Sequence, residues 1–487
     1  MNISIFFVAN YFSLREQILR RSSSKHYYDD SMKKAFRQDI LHGPVTENLI
    51  LLMYPILICG LFQQLYQMAD AVVVGRFAQG NAIAIVGGSA SMLISLFTGL
   101  ASGIVTGSMF VTAFFSGQNS KSKIQNSAQM SILIAAVTGV LCTILFILFS
   151  EQILNILHVP SDILNDSAVY LRIYALGFAP YFIFQVSVNL LRALGEAKRP
   201  TRYLILSFLL NIILDFLFTG LFRLQQNGVA IAFIISQSCS AALALYDINT
   251  HTHLHLFSMH MDLDTVKRIL SIGIPSSVTS IIYALTNILI QSSFNLLGSD
   301  MVAGYAIHSK IESLYWIIFT GLGMAVTTFA GQNYGSGNKQ RLKETVRRGI
   351  RLGYLIAIPI ALMFYFMSVP LSSIFTKDPK LIGLGSTILK YMAPFYLCYP
   401  VIEIITQILK CIGKAVQSTV ITLLCISVVR VIWILTVAMK NLCYQNILLA
   451  FPISWTIASA VFLIYYSIER KKLLNETYTC DAGTVSR

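Results

Sequence analysis

The residues able to do chemistry in this chain are charged and amide side chains set inside apolar segments. The stretch "LFQQLYQMAD" (61–70) carries Gln63, Gln67 and Asp70 at i, i+4 and i+7, one face of a helix, with Tyr66 beside them. In "NIILD" (211–215) the same spacing pairs Asn211 with Asp215. At about 1.5 Å per residue, Asp70 lies about 9 Å before the loop residue Arg76, and Asp215 about 12 Å before Arg223, so the two carboxylates have similar depth. A carboxylate with amide neighbours in a dry interior can exchange a proton or hold a bare cation on oxygen ligands. The same cluster can equally be structural, hydrogen-bonded between helices of one bundle.

Six further ionisable residues fall inside apolar spans: Arg172, Lys310, Glu312, Lys390, Glu403 and Arg430. A charge at the centre of a bilayer costs about 2.5–3.5 kcal/mol on insertion scales, so each needs a function or a partner. Glu403 and Glu312 can face a cleft and attract a cationic substrate, or pair with Arg430 or Lys390. The 30 Phe, 23 Tyr and 3 Trp suit flat organic cations through their ring faces, although interfacial belts and helix packing account for most of them.

The elements that position these residues are membrane helices. Of the 487 residues 55% are hydrophobic and 12% charged, against about 25% charged in soluble domains. Apolar runs of about 20 residues recur between short polar breaks, which calls for helices rather than a barrel with alternating faces. The expected class is an all-α polytopic membrane protein with spans near 48–74, 82–113, 125–150, 163–191, 203–222, 228–248, 268–296, 302–331, 347–369, 381–409, 415–438 and 444–468. The net charge of +14 is sorted rather than spread. Of 36 Lys and Arg, 27 lie in the N-terminal segment, the even-numbered loops and the C-terminal tail, against five in the odd-numbered loops, namely Arg76, Arg223, Lys377, Lys380 and Lys440. Both termini are therefore expected in the cytoplasm, with the charge serving topology and not nucleic acid.

The two halves repeat. "FFSGQNS" (114–120) matches "TFAGQNYG" (328–335), "FAPYF" (178–182) matches "MAPFY" (392–396), and "LLRALGEAKRPT" (190–201) matches "ILKCIGKAVQST" (408–419). The offsets are 214, 214 and 218 residues, and Pro55 and Pro275 are 220 apart. Six helices return the chain to its starting side, so the repeats are parallel, around a central cleft. The expected division is a basic cytoplasmic extension (1–45), an N-terminal lobe of six helices (46–249), a cytoplasmic linker (250–264), a C-terminal lobe of six helices (265–470) and a cytoplasmic tail (471–487).

Several chemistries find no support. His251, His253, His255 and His260 alternate in the linker with no carboxylate or Cys frame and read as solvated rather than metal-binding. The eight Cys are scattered without a CxxC pair and read as packing residues. "CIGKAV" (411–416) lacks the first Gly and the Ser/Thr of a phosphate-binding loop. His308 is the one histidine inside a span, which leaves no nucleophile and base for an enzyme. No metal or organic cofactor is expected, and energy for transport must come from an ion gradient or a partner.

With "QQLYQMADAVVVGRF", the doubled "GQN", "LRALGEAKRPT", "NIILD" and the Gly-Lys of "CIGKAVQST" in this order, residues 43 to 470 resemble the MATE (multidrug and toxic compound extrusion) family, in its prokaryotic branch. The resemblance implies two six-helix lobes around a V-shaped cleft and export of organic cations or drugs in exchange for H+ or Na+, by a monomer in the plasma membrane. It places the coupling cation in the N-terminal lobe at Asp70, Asn211 and Asp215, with Gln67 nearby and an amide of helix 4, Gln185 or Asn189. It leaves Gln63, Tyr66, Glu312, Glu403 and Arg430 as candidates for the substrate cleft. Two departures stand out. Phe233 occupies the position of a helix 6 threonine, which removes one possible cation ligand and weakens Na+ coupling. Tyr283 stands where another branch of the family has a helix 7 glutamate. The alternative is a flippase for a lipid-linked or lipid substrate, which would require Arg172, Lys310, Lys390 and Arg430 to converge on the cleft.

Overall fold

The computed structural model describes residues 40–475 apart from 79–81, 88, 157–158, 160, 253, 255 and 257–261. The expected extension and tail therefore lie largely outside the described residues, as do His253, His255 and His260 of the linker. Within them the chain is helical, with no strand, and eleven helices are long and apolar enough to cross a membrane, or twelve when one bent pair is taken as a single span. The N-terminal lobe comprises α1 (Val45–Phe77), α2 (Ser89–Gly117), α3 (Lys121–Ile156), α4 (Ser161–Ala175 with Phe178–Ala193), α5 (Lys198–Asp215, continued by Phe216–Leu221) and α6 (Gln225–His251). The C-terminal lobe comprises α7 (Leu263–Asn295), α8 (Ser299–Gly335), α9 (Lys339–Phe366), α10 (Pro379–Met392, Ala393–Cys398 and Tyr399–Cys411), α11 (Ala415–Thr422 through Ile434–Ala438) and α12 (Tyr444–Asn475).

Each repeated motif has a visible structural job. Helix α4, expected as a single span over 163–191, bends by 44° between Ala175 and Phe178. At that point the Phe233 ring lies so close to Gly177 that a Cβ there would meet it. Helix α10 tightens to a 3-10 turn over Ala393–Cys398. The cause is Pro394, which has no N–H to give and crowds the preceding turn. Both irregularities fall at the "FAPYF" and "MAPFY" motifs. Helix α5 passes into a π-helical turn, Phe216–Leu221, directly after Asp215; such turns recur at functional sites.

The lobes meet along α2 and α7, the most extensive helix pairing in the molecule, with α8 also packing on α1 and α2. At the Lys/Arg-rich end the two GQN motifs touch. The backbone of Gln332 approaches Gly117 so closely that no side chain fits there, and the Gln332 amide donates to the Ala193 carbonyl at 2.7 Å. Arg341 clasps the entry to α1, donating to the carbonyls of Ile40 at 3.0 Å and Gly43 at 2.6 Å and to Asn333 Oδ1 at 3.0 Å. This end is sealed. Outward from the seal the lobes enclose a cavity, while apolar residues such as Leu141, Leu148, Leu355 and Phe366 are exposed on α3 and α9 as faces for lipid.

Candidate functional site

The cavity between the lobes has a volume of about 490 Å³ and draws its wall from both repeats. Helix α4 contributes Gln185, Asn189 and Arg192, spaced i, i+4 and i+7 on one helical face. Helix α10 contributes Glu403 and Gln407. Gln63 and Gln64 of α1 and Trp316 of α8 complete the polar and aromatic lining that bears on function.

The carboxylate of Glu403 is held from both sides. Tyr399 donates its hydroxyl to Oε2 at 3.0 Å, and Gln407 donates its amide to Oε1 at 2.9 Å. The carboxylate occupies the space where a side chain of residue 323 would begin, so only Gly323 on α8 leaves room for it. Lys410, one further turn along α10, is within electrostatic reach of Glu403. On the opposite wall Arg192 is 5% exposed; its Nη1 donates to Asn189 Oδ1 at 3.2 Å and to Met324 Sδ at 3.8 Å, with the Cys59 sulfur beside it. Nε of Arg192 has no hydrogen-bond partner among the described residues, and no ion pair to Arg192 is found there.

Behind the α4 wall lies a second polar cluster. Asn211 and Asp215 are both fully buried on α5. The Asn211 amide donates to Ser236 Oγ of α6 at 3.3 Å, and Ser236 in turn donates to the Phe233 carbonyl at 3.0 Å. Phe233 itself stacks on Tyr174 with ring centroids 4.1 Å apart, so the position where a threonine ligand was missed is filled by a ring packed on α4. The hydroxyl one turn later, Ser236, supplies an oxygen to the same helix pair. The backbone of Tyr66, Gln67 and Asp70 continues α1, which packs on α5; their side chains lie outside the described residues.

The interior of the C-terminal lobe holds a cation and an acid. Arg430 is 2% exposed, donates its Nε to Ser454 Oγ at 3.0 Å and lies over the Phe451 ring at 4.4 Å and the Trp455 ring at 5.6 Å. Glu312 is buried one helical turn from His308, Oε2 to Nε2 3.7 Å, and within electrostatic reach of Arg430.

Of the residues singled out in the sequence, Gln63, Gln185, Asn189 and Glu403 come together on the cavity, and Asn211 and Asp215 come together behind it. Two expectations require correction: Glu312 and Arg430 do not line this cavity but are packed inside the C-terminal lobe, where the aromatic side chains of α10 and α12 cover them. Sequence reasoning passed over Arg192, Gln407 and Ser236. The signal for the first was available, since Arg192 continues the Gln185 and Asn189 face, but its place in a basic motif near a loop disguised it.

The MatE family model matches this chain twice, over residues 55–217 and 275–436, so the repeat read from four landmarks is the family's own unit. Among similar proteins, the probable multidrug resistance protein YoeA of Bacillus subtilis (strain 168) is 26% identical over 394 residues, covering 78% of this chain and 84% of that one. The probable multidrug resistance protein NorM of Thermotoga maritima is 25% identical over 396 residues, covering 79% and 84%. A solved MOP superfamily transporter from Pyrococcus furiosus superposes with a TM-score of 0.84 at 20% identity, over 91% of this chain and 99% of that one. With two thirds of its length inside the two matched segments and the same fold as solved relatives, the chain is a membrane transporter of the MatE family.

Proposed function

We propose that this chain is a secondary active multidrug exporter of the plasma membrane, exchanging organic cations for H+ or Na+ by alternation of its two lobes. The observation that carries the reading is the difference in buried charge between the two lobe interiors. Asp215, with Asn211 and Ser236, is fully enclosed in the N-terminal lobe, whereas in the C-terminal lobe Ser454, the counterpart of Ser236, accepts from Arg430, whose charge balances that of the buried Glu312. Cation coupling in this reading belongs to the N-terminal lobe, at Asp215 and Asn211 with Asp70 and Gln67 of α1 and an amide of α4, Gln185 or Asn189, on the cavity wall. Protons are favoured over Na+, because Phe233 occupies the place of an oxygen ligand. The cavity, with Glu403 on one wall, is the substrate site. Coupling follows if the ion binds one access state more tightly than the other. With the Lys/Arg-rich end in the cytoplasm, the sealed GQN contact and the Arg341 clasp describe an outward-facing state.

The flippase alternative required four cations to converge. Arg172 instead pairs with Glu151 at 3.5 Å, Lys310 and Lys390 are exposed, and Arg430 is buried behind the wall, so the exporter reading is preferred. The test uses purified protein in liposomes loaded with a cationic dye, under either a pH or a Na+ gradient. The pH gradient is expected to drive dye loss, and Asp215→Asn to reduce the rate at least about tenfold. Undiminished dye loss by the variant would remove Asp215 from the mechanism. Dye loss under the Na+ gradient alone would overturn proton coupling.

A further inference from the structure

We propose that Arg192 makes the cavity a receptor for the anionic group of its substrate, so that organic ions bearing a carboxylate, and zwitterions above all, are bound in preference to simple cations. The proposal rests on the cavity being the substrate site, as argued above.

Arginine cannot shed its proton at ordinary pH, and a buried, uncompensated charge is strongly unfavourable. Arg192 is only 5% exposed, it borders the cavity, and its neighbours Asn189, Met324 and Cys59 include no acid. Its Nε is left without a partner among the described residues. The repeat shows what is missing. The offset of 218 residues between "LLRALGEAKRPT" and "ILKCIGKAVQST" maps Gln185 on Glu403, Asn189 on Gln407 and Arg192 on Lys410. In the C-terminal lobe the base is answered by its own carboxylate, Glu403, within electrostatic reach. In the N-terminal lobe the acid's place is taken by Gln185, a neutral amide, and Arg192 keeps its full charge. A ligand carboxylate could take a paired set of guanidinium N–H bonds, while an amine on the same ligand would find Glu403 on the facing wall. The ligand's carboxylate would then supply the counter-charge that Arg192 lacks, with its amine beside the Glu403 carboxylate.

The experiment is fluorescence-polarisation titration of the purified full chain with two dyes of one skeleton, a rhodamine carrying a free benzoate and its methyl ester. The wild type is expected to bind the acid about tenfold more tightly than the ester, the size of one hydrogen-bonded contact to a charge. Arg192→Gln should erase that difference by weakening the acid dye, and Arg192→Lys should keep part of it. Equal affinity of the wild type for both dyes, or a preference for the ester, overturns the proposal and leaves the exporter reading intact. Equal weakening of both dyes by Arg192→Gln also overturns it, since Arg192 would then only position the wall. If Arg192→Gln fails to fold, the wild-type comparison and Arg192→Lys decide. Failure of the wild type to bind either dye counts against the substrate site itself and removes both readings.

Discussion

Ser236 in the N-terminal lobe and Ser454 in the C-terminal lobe stand 218 residues apart and perform the same task. Each donates its hydroxyl to the carbonyl of a phenylalanine three residues earlier, Phe233 at 3.0 Å and Phe451 at 2.8 Å. Each also accepts from the preceding helix, Ser236 from the Asn211 amide and Ser454 from the Arg430 guanidinium. The scaffold has been copied, but the charges on it have not. The N-terminal lobe keeps a carboxylate inside, Asp215, and a guanidinium on its wall, Arg192; the C-terminal lobe keeps a guanidinium inside, Arg430, beside the buried Glu312, and a carboxylate on its wall, Glu403. Duplication thus supplied two equivalent bundles, and exchange of charge at a few positions gave them different work.

If Arg430 is a structural charge and Asp215 a working one, their removal should differ most in stability. Arg430→Gln removes a cation from two aromatic faces and leaves Glu312 without its compensating charge. The expected loss is about 3 kcal/mol in unfolding of the detergent-solubilised protein. Asp215→Asn, which mimics the protonated acid, should lose less than about 1 kcal/mol while abolishing coupling. A larger stability loss at Asp215 than at Arg430 would exchange the roles assigned to the two interiors.

The wall comparison is sharpened by writing the C-terminal solution into the N-terminal lobe. Gln185→Glu places a carboxylate where the repeat puts Glu403, on the same face of α4 as Arg192. The variant should gain about 1 kcal/mol of stability from compensating a buried charge and lose its preference for the acid dye. Unchanged dye preference would mean that Gln185 and Arg192 do not share one field.

How much of this could be read in the sequence follows from what membrane helices reveal. The helical plan, the two lobes and the pairs Asn211 with Asp215 and Gln185 with Asn189 were legible, because polar residues in apolar helices are few and their spacing identifies a shared face. What that face meets was not legible. Lipid-facing and core-facing positions are both apolar, so the contrast that orients a helix in a soluble protein is weak here. For that reason Arg430 and Glu312 were expected on the cleft although they are enclosed by aromatic rings, and Arg192 was grouped with loop charges although it lines the cavity. The bend in α4 falls where Pro180 leaves the Leu176 carbonyl without its helical donor, a signal present in the sequence, but the Phe233 ring that packs on Gly177 there comes from another helix.

The serine pair offers the finest test of the same idea. Both hydroxyls are fully buried and both accept one hydrogen bond from the preceding helix, so substitution by alanine removes the same atoms from the same surroundings. The acceptor role differs only in the charge of its donor. A hydrogen bond to a charged group contributes about 1.5–3 kcal/mol and one between neutral groups about 0.5–1.5. Ser454→Ala, which strips an oxygen from a buried guanidinium, should therefore destabilise the protein by about 1 kcal/mol more than Ser236→Ala. Transport should respond in the opposite order, since Ser236 touches the coupling cluster and Ser454 does not. Equal stability losses, with transport equally reduced, would mean that the charge exchange between lobes has no energetic consequence at this depth. The division of labour would then have to come from the walls alone.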